Sequence, residues 1–310
     1  MGTIFIMGSF VADCAFRAAR LPAWGETLLG ESFLLGPGGK GSNQAVAAAR
    51  AAAADVRVRM LTRLGDDAFG QMARAVWRAA GVDDTLVATT NTATGAAAIL
   101  LDAARGENAI VVVPGASYTL SVADVDAARS VIAEASILMT QLELPLATVE
   151  HGLRMARAAG VTTVLNPAPA AAITDALLAE VDYLVPNETE AAQLSGLLVE
   201  SLEDAAQAAG LLLERGAQCV IVTLGARGAL LCQRGLEPVL VTAFSVGAVV
   251  DTTGAGDAFC GGFAVALAEG RALRDAVRFG CAAAGIAVTR AGTAASMPQR
   301  AEIEALLARS

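Results

Sequence analysis

Short apolar runs rich in β-branched residues alternate along this chain with longer, alanine-rich stretches of helical period. Residues 3–7 and 57–61 read as strands, 43–54 and 67–80 as helices. Ile137–Thr140 then reads as a strand, 146–159 as a helix and Thr162–Leu165 as a strand. A strand over 183–185 precedes a helix over 188–194, and a helix over 204–215 precedes the strand Cys219–Thr223. A strand-like run ends near Val250, and an alanine-rich helix opens near Ala255. This alternation predicts an α/β fold: one three-layer α/β/α domain over residues 1–310, around a central, mainly parallel sheet. Two stretches, about 10–36 and about 88–114, are β-like and lack long helices. In the second, residues 95–101 and 109–113 flank a turn at 104–108, which is a hairpin signal. The two excursions predict a small β-sheet projecting from the α/β body.

Composition narrows the function classes. The chain has 310 residues, 55% hydrophobic and 17% charged, ample for a core and incompatible with disorder. A net charge of −9 argues against nucleic acid or an anionic membrane surface as partner. No uncharged apolar run approaches the ~18 residues of a membrane span, and the first residues lack a basic, cleavable leader, so a cytoplasmic place is expected. The five cysteines are scattered without a C-x-x-C pair, as reduced thiols would be. The single histidine, His151, falls in a predicted helix and reads as ordinary surface, so neither a histidine metal site nor a Ser-His-Asp triad is expected.

Lys40 is the only lysine, and the other 21 of the 22 basic residues are arginine. That lysine stands in Gly36-Pro37-Gly38-Gly39-Lys40-Gly41-Ser42-Asn43-Gln44-Ala45. Glycines let the backbone approach a ligand closely, and the helix that follows offers free N–H groups. The loop lies well downstream of the first strand, which argues against a dinucleotide fingerprint, and no Walker A pattern occurs. Arg's planar fork would fit poorly where a slim ammonium fits, so Lys40→Arg is expected to change the KM for a ligand bound there. The second motif is Asp251-Thr252-Thr253-Gly254-Ala255-Gly256-Asp257-Ala258-Phe259. Its glycine turn sets backbone N–H groups at a helix N-terminus beside Asp257, an anion hole next to a base. The helix dipole is expected to keep Asp257 ionised. Asn187-Glu188-Thr189-Glu190 and Thr223-Leu224-Gly225-Ala226-Arg227-Gly228 are plainer: a helix-capping pattern and a glycine turn at a strand end.

Taken together, these residues resemble the ribokinase-like family of sugar kinases over essentially the whole chain. Also similar to that family are Ala12-Asp13, Gln141-Leu142-Glu143 and Asn166-Pro167-Ala168-Pro169. The resemblance implies ATP-dependent phosphorylation of the primary hydroxyl of a pentose, foremost D-ribose. It implies a sugar site of Asp13, Gly39, Lys40, Gly41, Ser42, Asn43 and Glu143, with Val11 at its edge. Asp257 would be the general base, and Gly254, Ala255 and Gly256 the anion hole. Asn187 and Glu190 would organise Mg²⁺ and the phosphates. Thr223, Leu224, Gly225, Ala226, Arg227 and Gly228 would lie along ATP, with Gly256 at its phosphates and Cys281 near the adenine. Asp251, Thr253, Ala287, Arg290, Gly292 and Ser296 would hold a monovalent cation, K⁺. The β excursions would form a lid that pairs two subunits in a homodimer. Two positions depart from the pattern: Val11 stands where the family usually has Asn, and Cys281 where it more often has Asn or His. The first keeps 2-deoxyribose and other furanoses open as substrates. A nucleoside kinase is the nearest rival on the same fold. A dinucleotide oxidoreductase and an exported sugar-binding protein are the readings from other classes.

Overall fold

A computed structural model describes residues 2–309. In chain order the strands are β1 (Gly2–Met7), β2 (Val11–Ala18), β3 (Ser32–Gly38), β4 (Val56–Leu61), β5 (Arg63–Gly65), β6 (Ala88–Thr90), β7 (Thr94–Asp102), β8 (Asn108–Gly115), β9 (Ile137–Thr140), β10 (Thr162–Leu165), β11 (Tyr183–Leu184), β12 (Cys219–Thr223), β13 (Ala229–Gln233) and β14 (Val239–Val241). The large sheet has the order β14-β13-β12-β11-β10-β9-β1-β4. It is parallel from β12 to β4, and β13 and β14 extend it antiparallel. Continuous apolar strands such as β1 are buried on both faces, as a sheet between two helical layers requires. Ile4 and Ile6 of β1 enter one core, and Phe5 and Met7 enter the other.

The excursions build the smaller sheet, order β3-β2-β7-β8. β2 pairs parallel with β7, and the hairpin β7–β8 forms as its turn residues predict. Residues 88–90, in contrast, form β6, which pairs with β5 and not with the small sheet.

Two local expectations are corrected. The helix expected over 43–54 runs Lys40–Ala51, because its first N–H groups find acceptors far away in sequence: Lys40 N–H donates to Glu143 Oε2 at 2.8 Å. The run ending at Val250 forms no strand. Val249 and Val250 are 65% and 61% exposed, and the Val250 and Asp251 N–H groups both turn to the Val288 carbonyl. β13 and β14 already complete that edge of the sheet.

Helix Lys40–Ala51 packs on helix Ala255–Ala268 through small residues. A Cβ on Gly261 would come 2.6 Å from Ala47 Cβ and 2.7 Å from Ala48 N. That close approach lets short polar side chains on one helix reach the other.

Candidate active site

The parallel strands all end on one side of the sheet, where an open α/β fold binds its ligands. β1 delivers Ser9, β9 delivers Gln141 and Glu143, β10 delivers Asn166, β11 delivers Asn187, and β12 ends on Thr223. Helices Lys40–Ala51 and Ala255–Ala268 bring the two glycine motifs to the same place.

Asp257 sits in the first turn of helix Ala255–Ala268 and is buried. Its Oδ2 accepts from Asn43 Nδ2 and its Oδ1 from Gln44 Nε2, each at 3.0 Å. The carboxyl is not held as low as a helix N-terminus alone would hold it, although it stays ionised near neutral pH. Burial pushes it up to about 6, against the pull of Lys40 and the two amides. Gly254 caps the helix at φ 79°, a left-handed conformation that suits glycine. The first-turn amides have no intrahelical acceptor. Of these, the Ala255 N–H turns back to the Thr252 carbonyl at 3.2 Å.

Lys40 is the cation of this site. Burial would lower its ammonium, but Asp257, Glu143 and Glu190 outweigh that and hold it above its ordinary value. It lines a cavity of about 140 Å³ with Asn187, Glu190, Thr223, Gly254 and Asp257. Lys40 therefore faces the glycine turn of the second motif as well as its own loop. Gly39, at φ 84°, brings that loop against β2: a Cβ there would lie 2.7 Å from Val11 N. Asp13 lies beside Gly38 on the next strand, and burial, with Glu143 nearby, pushes its carboxyl up to about 6. Glu143 accepts from the Ser9 hydroxyl as well as from Lys40 N–H. Ser42 is turned away and accepts from the Trp77 indole N–H at 2.9 Å.

Asn187 and Glu190 form a capping box on helix Glu188–Ser195. Glu190 Oε2 accepts from Asn187 N–H at 2.8 Å and Oε1 from Asn187 Nδ2 at 3.0 Å. Burial raises the Glu190 carboxyl despite Lys40 and the cap.

A profile described as pfkB family carbohydrate kinase matches residues 1–300. The chain belongs to this family. Ribokinase of Haemophilus influenzae is 39% identical over 300 residues, covering 97% of this chain and 96% of the relative. Deoxyribokinase of Salmonella typhimurium is 37% identical over 297 residues, covering 95% of each. Among solved structures, the Arabidopsis thaliana ribokinase complexed with ribose and ATP superposes with a TM-score of 0.91 at 33% identity. It covers 99% of this chain and 98% of that one.

The family's remaining motif positions fall as follows. The turn after β12 carries Leu224 to Gly228, and the Arg227 side chain is paired with Glu188. Cys281 is buried under β14, where its thiol lies 3.9 Å from the Val241 carbonyl and burial pushes it up to about 12. It is packed into the core and does not line the cavity. Asp251 accepts from Thr253 N–H at 2.9 Å and Gly292 N–H at 3.1 Å, and these bonds outweigh burial and hold its carboxyl low. Ser296 donates to the Thr293 carbonyl at 2.7 Å, and the Arg290 side chain is spent on Glu302. Ala287, Arg290 and Gly292 thus have only main-chain oxygens to offer there.

Sequence reasoning missed Gln44, Asn166, Ser9 and Cys260 as site residues. Gln44 bonds to Asp257 and to Asn166, which reaches Asp257 only through it. Cys260 lines the cavity one helical turn after Asp257. That i, i+3 spacing was a usable signal for Cys260; Gln44 and Asn166 fall inside two of the motifs, but nothing local in the sequence assigned them a role.

Proposed function

We propose that this protein is an ATP-dependent kinase that converts D-ribose to D-ribose 5-phosphate. One observation carries this reading: a buried carboxyl, Asp257, is held by two amides at a helix N-terminus whose glycine turn lines the same small cavity as the only lysine. Asp257 takes the proton of the sugar's primary hydroxyl. That oxygen bonds to the γ-phosphorus of ATP, the bond to the bridging oxygen breaks, and ADP leaves. The amides of the Gly254–Gly256 turn and the Lys40 ammonium meet the charge spread over the transferred group. Asp13, Asn43 and Glu143 orient the sugar. The buried Asn43 Oδ1 has no partner within the protein, so it is an acceptor waiting for a sugar hydroxyl. The turn Thr223–Gly228 runs along the nucleotide, and Cys281 serves as a wall behind the adenine.

The residues suit both metal ions of the reading. No group of three or more acidic, histidine or cysteine side chains forms a cage among the described residues. Both Glu190 oxygens are occupied by Asn187, which fits Mg²⁺ held through water and phosphate. Mg²⁺ supplies charge neutralisation at the phosphates. The loop of Asp251, Thr253, Ala287, Arg290, Gly292 and Ser296 offers one carboxylate and otherwise neutral oxygens, suited to K⁺.

The small sheet is a lid that keeps water from the transferred phosphoryl group. Its edge strands β3 and β8 expose Leu34, Val111 and Val113 at 68%, 68% and 61%. Such a face calls for cover, and a second copy of the lid supplies it in a homodimer. Five free thiols accord with a cytoplasmic place, and no helix among the described residues is long and apolar enough to cross a membrane.

The test is ADP release with ribose, 2-deoxyribose, other furanoses and nucleosides, with and without K⁺. Turnover with ribose is expected. Turnover confined to nucleosides would overturn the reading.

A further inference from the structure

Gln44 is fully buried, and all its side-chain hydrogen-bonding capacity but one lone pair is used. Its Nε2 donates to Asp257 Oδ1 at 3.0 Å and to Asn166 Oδ1 at 3.1 Å. Its Oε1 accepts from Gln141 Nε2 at 2.5 Å. Asn166 in turn donates through Nδ2 to the Val185 carbonyl at 2.9 Å. Three amides thus form a chain across the ends of β9, β10 and β11, closing on Asp257.

The direction of this chain is imposed from its Val185 end. The Val185 carbonyl can only accept, so Asn166 must present its nitrogen there and its oxygen to Gln44. Gln44 must therefore present its nitrogen to Asn166, and the same nitrogen faces Asp257. The oxygen left over accepts from Gln141 Nε2, whose own Oε1 has no partner within the protein, so Gln141 steadies the Gln44 amide and the Val185 end sets its direction. An amide free to rotate could greet a protonated Asp257 with its oxygen; this one can only donate.

We propose that Gln44 is a positioning residue for phosphoryl transfer, a one-way donor that fixes the Asp257 carboxylate for attack and favours its ionised form. This rests on the reading of Asp257 as the base. A donor on the ionised form opposes the burial that favours the neutral one. The other ionisable groups around Asp257 are Lys40 and Glu143, from the glycine loop and the loop after β9, with Cys260 on its own helix and Glu190 across the cavity. Among the donors, Asn43 holds the other carboxylate oxygen but keeps an unpaired Oδ1, so its amide is not locked in the same way.

The test compares Gln44→Met, which keeps the shape and removes the donor, with Gln44→Glu, which sets an acceptor against Asp257. For Gln44→Met, kcat should fall about 10²-fold with sugar KM changed less than about threefold. The acid limb of the kcat/KM–pH profile should move up by about one unit. Gln44→Glu should move it further in the same direction. If either variant fails to fold by circular dichroism, Gln141→Met, which removes the donor that steadies Gln44 Oε1, should show the smaller upward shift. An unmoved acid limb in folded variants overturns the role of Gln44. Asp257→Asn, run alongside, separates the two failures: normal turnover there removes Asp257 as the base, whereas a dead Asp257→Asn with an unmoved limb in the Gln44 variants rejects only this inference.

Discussion

Asn43 and Asp257, 214 residues apart, are joined by a 3.0 Å hydrogen bond between the first turns of two closely packed helices. The bond ties the sugar-side loop to the phosphoryl-side turn and aims one carboxylate oxygen. Asp257→Asn places an amide where both neighbours donate, so one donor is left facing another. With the base also gone, kcat is expected to fall about 10³-fold while sugar KM changes little. Steady-state kinetics on the folded variant check this, and near-normal turnover would remove Asp257 from the chemistry.

The pH behaviour has two signatures of opposite sense. Asp13 and Asp257 are both pushed by burial to about 6 from an ordinary value of 3.8. Activity needs the ionised base, so kcat/KM should drop as pH falls through 6, with a slope approaching two protons if Asp13 must also be ionised. Asp13→Asn should leave a slope near one. Stability runs the other way. A carboxyl more basic folded than unfolded costs stability above its folded value, and that cost fades as pH falls from about 6 towards 3.8. The stability of Asp257→Asn relative to the parent should therefore shift in the variant's favour as pH rises from about 4 to 7, on top of a constant loss from the mismatched donors. Melting curves of the two proteins across that range measure the difference.

How far the chain could be read beforehand depends on how local the cause is. The parallel strands were legible because apolar runs such as Ile137–Thr140 and Cys219–Thr223 are buried on both faces. The glycine motifs were legible because tight backbone approaches need glycine at fixed spacings. The start of helix Lys40–Ala51 was not, since its cap, Glu143, lies 103 residues away. The value of the Asp257 carboxyl was not, since burial is a property of the packed helices. Gln44 was hidden for the same reason: an amide beside Asn43 looks like any polar helix residue until β9 and β10 arrive around it.

Lys40 makes a sharper case than its composition suggested. The expectation of an effect on sugar KM rested on its loop alone, whereas its cavity also holds Asn187, Glu190 and Gly254. Lys40→Arg brings a wide fork into a space of about 140 Å³. It should lower kcat about 10²-fold, more than it changes sugar KM, because the misplaced charge meets the phosphoryl group late in transfer. Lys40→Met should in addition move the acid limb up, since the cation that favours ionised Asp257 is gone. A Lys40→Arg enzyme with normal kcat would show that the surviving lysine owes nothing to the chemistry.

Val11 bears on the choice of sugar. It is 4% exposed, two residues before Asp13 on β2, so both side chains stand on one face of that strand. Valine offers no hydrogen bond, and a site without a partner for a hydroxyl gains little when the hydroxyl is present. Ribose should be preferred over 2-deoxyribose in kcat/KM by less than about 10²-fold. Asparagine at this position supplies a donor and an acceptor in nearly the same volume. With ribose bound they are satisfied; with the deoxy sugar they are buried and unpaired. Val11→Asn should accordingly widen the preference by about tenfold or more, chiefly by weakening the deoxy sugar. Paired kinetics on the two sugars decide it. An unchanged ratio in a folded, active Val11→Asn would show that Val11 does not face the hydroxyl that distinguishes them.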